Sequence, residues 1–177
     1  MSTASPRRYV IDYSGPNVAK PMHVGHIRST GIGDCLQRVL RLLGHRVLSD
    51  NHLGDYGKQF GMNIAAIVKW GKPQGQDEEA LAQLDKLYAQ YSREAKEDKA
   101  MDDEARAWSL KLEQGDATAV ALWQWMVNLT LTAIQTNYDR LGVKFDHAYG
   151  ESFYAPMNAG VIDDALKSGL AYRDEGG

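Results

Sequence analysis

The stretch Asn17–Thr30, NVAKPMHVGHIRST, sets His23 and His26 around Gly25, with Lys20 a short step ahead. Imidazoles so spaced can ligate a metal, donate to a phosphate, or simply be satisfied by nearby backbone. Zinc usually takes three or more protein ligands, and this pair has neither the glutamate nor the helical step of an HExxH site. A phosphate suits the position better. The pair lies between a strand end and a helix start, where unpaired N–H groups and the helix dipole attract an anion. Gly25 would let a phosphate or a planar base approach the backbone. The two rings could then stabilise charge growing on a transferring phosphoryl or nucleotidyl group, with Lys20 as a mobile cation in the same loop. The Walker pattern is absent, and GIGDCL, Gly31–Leu36, is not spaced like GxGxxG. The backbone-satisfied reading stays open on these residues alone.

The elements that must hold this loop are legible around it. RYVIDYS, Arg8–Ser14, is β-rich and stops at Gly15-Pro16, so it reads as a strand ending in a turn. From Ile27 to Leu43, residues Ile32, Leu36, Val39, Leu40 and Leu43 fall at helical spacing, with Gly44 placed to cap the end. Cys35 lies inside this stretch and is expected to pack. HRVLSD reads as a second strand, giving a βαβ unit with parallel strands and a right-handed crossover. NHLGDYGKQFG, Asn51–Gly61, follows a strand end, where open α/β sheets present ligand loops. WGKPQGQ, Trp70–Gln76, reads as a surface connector. Glu78 to Leu112 is charged and helix-favouring, with Leu81, Leu84, Tyr88 and Tyr91 on one stripe, and is expected to be a peripheral insertion. Ala117 to Leu141 reads as a well-buried helix on a near-heptad of Val120, Val127, Leu131, Ile134, Tyr138 and Leu141, ended by Gly142. VKFDHAY is expected to be a third strand, and Asn158–Lys167 a short helix.

Composition narrows the class. The 177 residues are 44% apolar and 24% charged, enough for one domain with a core. A formal charge of −3 rules against a broad basic surface for nucleic acid while leaving local phosphate binding open. The single cysteine excludes an intrachain disulfide and a thiolate cluster and fits a reducing cytoplasm. The N-terminal stretch has no apolar signal core, and no apolar run is expected to be long enough to cross a bilayer.

The run PNVAKPMHVGHIRST resembles the extended first signature of class I aminoacyl-tRNA synthetases in its arginyl form. NHLGDYGKQFG resembles that family's second block, and YDRLGVKFD with GESFY a third; the blocks keep order and spacing from Tyr9 to Gly176. The resemblance implies a partial Rossmann-like nucleotide-binding α/β fold and a reaction of arginine with ATP to arginyl-adenylate, followed by transfer to tRNA(Arg). Magnesium would accompany ATP, and no protein-bound metal is implied. The signature is Pro16, Asn17, Val18, Ala19, Lys20, Pro21, Met22, His23, Val24, Gly25 and His26. By the same resemblance Asp12, Ser14 and Asn17 would contact arginine, and His23 and His26 the ATP phosphates, with Gly25 under the adenine. Asp55 and Gln59 would shape the pocket. A guanidinium carries N–H donors in a fixed fork and needs an acid, which Asp12 supplies where the family often has glutamate. Lys20 would add cationic stabilisation near the phosphates.

The resemblance divides the chain into residues 8–71 for the first βαβ part, 72–115 for a helical insertion, 116–157 for the return to the catalytic fold, and 158–177 for a second insertion. No KMSKS-like signature or anticodon-binding region occurs, so the chain reads as the N-terminal part of a catalytic domain. The end after Asn158 is expected to be weakly held, and the open sheet edge to favour self-association. The competing readings are a stand-alone nucleotide-binding or nucleotidyltransferase module of the same fold, and a helical interaction domain over Glu78–Leu141.

Overall fold

In the computed structural model, which describes residues 3–174, β1 (Arg8–Asp12) leads through a loop into α1 (Val24–Leu42) and then β2 (Arg46–Asp50). The strands pair in parallel, Arg8 opposite Arg46 and Asp12 opposite Asp50, as the βαβ reading expects. The helix starts at Val24 rather than Ile27, because His23 supplies a side-chain cap. Its docking face also differs from the apolar stripe. Ile32, Leu36, Val39 and Leu43 are exposed, while Thr30, Gly33, Asp34 and Gln37 are buried. A Cβ on Gly33 would collide with the Tyr13 ring, so α1 approaches the strand end along its small and polar side. Cys35 is exposed, which corrects the expectation that it packs. One sheet face is open as well, with Val10 at 74% and Leu48 at 50% exposure.

Beyond the second loop come α2 (Gln59–Trp70), α3 (Asp77–Glu94), α4 (Lys99–Glu113) and α5 (Ala117–Leu141). Asp98 and Asp116 accept first-turn N–H groups and so fix where α4 and α5 begin. The stretch from Glu78 to Leu112 is not peripheral, as its residues build the core. Leu81 and Leu84 of α3 pack with Phe60, Ile64 and Val18, while Tyr91, Met101 and Ala105 enclose Ala65 and Ala66 of α2. Apolar burial on this scale stabilises by roughly 25 cal/mol per Å², and α2 supplies its centre. The fully buried Tyr91 hydroxyl donates to the Met101 carbonyl at 2.8 Å, and burial pushes its pKa up, Glu104 adding to the effect.

In α5, Met126, Val127, Ile134 and Tyr138 are buried, while Trp123 and Trp125 are half-buried. Gly142 ends it with φ 65°, a left-handed cap. The helix is 25 residues long and, by length and composition, apolar enough to cross a bilayer, contrary to expectation. In this fold the same apolar faces meet α2 and α3 instead.

VKFDHAY forms no third strand. The Asp146 carboxylate accepts both the Ser49 N–H at 2.8 Å and the Ser49 hydroxyl at 3.0 Å. It thereby takes the donor that a strand ladder would use, and pairing stops at a lone bridge between Asp50 and His147. That Ser49 N–H, helped by Arg41 at 2.6 Å, holds the Asp146 carboxyl below the usual range despite partial desolvation. The chain continues through α6 (Glu151–Tyr154), a 3-10 turn (Ala155–Met157) and α7 (Asn158–Lys167), none with a buried residue. Residues 175–177, the end of the 158–177 segment, lie outside the described residues.

Candidate functional site

The histidines cap α1 reciprocally. His23 Nδ1 accepts the Gly25 N–H at 3.1 Å, and His26 Nδ1 accepts the His23 N–H at 3.2 Å. The rings stack with centroids 3.8 Å apart and planes 16° off parallel. A Cβ on Gly25 would sit 2.9 Å from His23 Cε1, so the bare glycine makes room for the cap itself. A ring nitrogen that accepts carries no proton, which puts the proton of each neutral imidazole on Nε2. The capped pair therefore keeps both Nε2–H donors for a ligand. Among the described residues the Val24 N–H has no protein acceptor, and the first turn of α1 holds no acid. Burial lowers the His26 pKa and the neighbouring His23 lowers it further, which favours the neutral, capping form. Backbone satisfaction and phosphate binding, alternatives on sequence alone, are compatible here, since the cap uses Nδ1 of each ring and leaves Nε2.

The loop ahead of the cap is fixed from several sides. Ser14 at φ 76° and Ala19 at φ 66° adopt the left-handed conformation, which costs a non-glycine residue about 1–3 kcal/mol. The Ala19 N–H donates to Thr130 Oγ1 at 2.9 Å, drawing the loop onto α5. Pro16 and Val18 are buried and exchange backbone bonds with Gly54, whose missing Cβ makes room for the Asn17 side chain. Met22 packs near Leu53 and Ile134, and Pro21 is exposed. Lys20 Nζ lies 4.9 Å from the centre of the Tyr88 ring on α3, a cation–π contact.

The residues assigned to arginine occupy different settings. Asp12 is exposed at the strand end; its Oδ1 accepts a long 3.4 Å bond from the His52 N–H, which leaves acceptor capacity for a cation. Asn17 is exposed, and its amide has no hydrogen-bond partner among the described residues. Ser14 is buried, its hydroxyl 2.7 Å from that of Tyr138. Asp55 is also buried and accepts both the Ser152 N–H at 2.8 Å and the Ser152 hydroxyl at 2.6 Å. It thus joins the second block to the third. Gln59 opens α2 and donates to the Tyr56 carbonyl at 3.0 Å.

Sequence reasoning missed Tyr138, Thr30, Thr130 and Asn51 as supports of the loop. Tyr138 reads as one more core residue of a heptad; the available signal was that a buried tyrosine needs a partner for its hydroxyl. A hollow of about 450 Å³ beside α5 is lined by Asn51, Tyr138, Phe145, Asp146 and His147 and touches neither capping histidine. Among the described residues no three His, Cys, Asp or Glu side chains converge as metal ligands.

Comparison with known proteins gives the same direction. The family model for class I tRNA synthetases (R), catalytic domain, matches residues 1–177. An arginine–tRNA ligase of Chloroflexus aurantiacus is 60% identical over 171 residues, covering 97% of this chain and 30% of that protein. One from Streptococcus pneumoniae is 44% identical over 94% of this chain, again 30% of its own length. The chain thus spans about 30% of the length of these curated relatives. The crystal structure of an arginyl-tRNA synthetase from Plasmodium falciparum superposes with a TM-score of 0.76 at 29% identity, over 96% of this chain and 28% of the other. With the capped histidine pair set in a parallel βαβ unit, these matches show that the chain belongs to the arginyl-tRNA synthetase family, as part of its class I catalytic domain.

Proposed function

We propose that this chain supplies the half-site that holds ATP and arginine in an arginine–tRNA ligase. The observation that carries the reading is the stacked pair His23 and His26, capped through Nδ1 and free to donate through Nε2 at the start of α1. Its donors face the ATP phosphates, with Gly25 beneath the adenine. The carboxylate of arginine attacks the α-phosphorus, the bond to the β-phosphate oxygen breaks, and pyrophosphate leaves. No protein nucleophile is needed, so positioning and charge stabilisation supply the catalysis. Asp12 and Asn17 hold arginine, and Lys20 moves from the Tyr88 ring toward the phosphates. Asp55 and Gln59 serve by fixing the second loop. Magnesium would enter with ATP as part of the substrate and would neutralise phosphate charge. The adenylate then passes its arginyl group to the 3′ end of tRNA(Arg), and the same reading assigns the protein to the cytoplasm. Domain bounds of 8–71, 72–115, 116–157 and 158–177 belong to this proposal.

Calorimetric titration of the chain with a nonhydrolysable arginyl-adenylate analogue tests it, with lysyl and glutaminyl analogues as controls. The arginyl analogue binds selectively, and His26→Ala and Lys20→Ala each weaken it by about tenfold, in keeping with loss of a charged hydrogen bond. Equal binding of all three analogues would favour a general nucleotide module instead.

A further inference from the structure

Tyr138 joins segments that are far apart in the chain. Its ring is 4% exposed and meets Phe145 edge-on, centroids 5.1 Å apart. Its hydroxyl lies 2.7 Å from Ser14 Oγ and accepts from Asn51 Nδ2 at 3.0 Å. Asn51 Oδ1 in turn accepts the Gly15 N–H at 3.1 Å. Thr30 Oγ1 stands 2.8 Å from Ser14 Oγ and 2.7 Å from the His26 carbonyl. Strand end, catalytic helix, second loop and α5 therefore meet in one buried series of bonds.

The protons available limit how that series is bonded. An amide nitrogen can only donate, a carbonyl can only accept, and each hydroxyl between them has a single proton. Asn51 donates to the Tyr138 hydroxyl, Thr30 shares its one proton between Ser14 Oγ and the His26 carbonyl, and one further proton bonds Ser14 to Tyr138. Burial raises the Tyr138 pKa, so its proton is present throughout the neutral range.

The geometry points to Tyr138 as a positioning residue for the amino-acid side of the site. Its hydroxyl fixes the Ser14–Gly15 turn, where Ser14 has φ 76° and Gly15 φ 57°, against the loop that starts at Asn51. Asp12 and Asn17 flank that turn and take their places from it. Ser14 serves the site through this series of bonds. The histidine end is reached through Thr30 and, by main-chain carbonyls, through Ser29, whose hydroxyl lies 3.0 Å from the His26 carbonyl and 3.5 Å from that of Ser14, and it is already fixed by its own cap. Loss of the Tyr138 hydroxyl therefore disturbs the arginine side first.

Tyr138→Phe removes the hydroxyl and keeps the ring packing. In this chain the Gly15 amide of the variant exchanges with solvent about tenfold faster, because Asn51, whose Oδ1 accepts that N–H, loses the Tyr138 hydroxyl that holds its amide in place, while amides around Ile64 keep their rates. Ser14→Ala breaks the same series without touching α5 and gives the same pattern. Unchanged exchange at Gly15 in both variants overturns the assignment. Only the kinetic consequence rests on the arginine-and-ATP reading. In the full-length protein Tyr138→Phe raises the KM for arginine about tenfold and leaves that for ATP within about twofold. A parallel rise of both overturns the selective role. Failure of the unmodified protein to make arginyl-adenylate would remove the proposed function, and the exchange result would still decide the role of Tyr138.

Discussion

At position 26 the ring nitrogen that faces the backbone must stay unprotonated, since it accepts the His23 N–H at 3.2 Å. Protonation would set two N–H groups against each other and open the cap. Burial already lowers the His26 pKa, with His23 adding to the shift. The unfolded chain therefore binds this proton at higher pH than the folded one does. The stability His26 contributes is present above its unfolded value of about 6.5 and is lost as pH falls toward the folded one. Urea unfolding midpoints should drop between pH 7.5 and 5.5, and His26→Gln, which keeps a capping-box acceptor, should show a shallower drop. An unchanged slope in the variant would place the dependence on other groups. The types and spacing of these histidines made a phosphate reading possible from sequence. The reciprocal cap was not legible, because HVGH serves equally well in an unstructured loop.

Elements were legible where local signals agree. Ala117–Leu141 starts after Asp116 and stops at Gly142, so a capping acid and a left-handed glycine mark both ends of α5. The face of α1 was harder to read, because apolar spacing tells which side is apolar and says nothing of what covers it. Gly33 decides the packing instead, by letting the Tyr13 ring lie against the helix. Gly33→Ala should therefore push α1 off the strand end and destabilise the chain by about 1–3 kcal/mol, measurable by chemical denaturation. A neutral result would mean that the ring moves aside without loss. VKFDHAY misled for a related reason. Its β-rich pattern is real, yet one aspartate carboxylate takes the Ser49 N–H that the ladder required. Tyr91 and Leu84 show the same limit in the insertion, whose charged composition hides a stripe buried in the core.

Across the whole molecule, apolar surface is unevenly covered. The helices beyond β2 enclose two clusters, whereas the α1 stripe of Ile32, Leu36 and Val39 is about half exposed, at 57%, 52% and 46%. Val10 and Leu48 add a separate apolar patch on the open face of the sheet, and exposed apolar surface of this kind drives association. The isolated chain should self-associate with rising concentration in sedimentation equilibrium, and Leu36→Glu should shift it toward monomer. A monomeric wild type at high concentration would show that charged neighbours suffice to keep the stripe apart. The bond between Ser14 and Tyr138 spans 124 positions, and it carries a timing consequence. During synthesis the first strand and the signature loop leave the ribosome long before α5 exists. At roughly 5–20 residues per second, the Ser14 hydroxyl waits on the order of ten seconds for its partner. The nascent loop is thus made well before it is completed, and ribosome-bound chains arrested before Tyr138 should carry the histidines without the turn that precedes them.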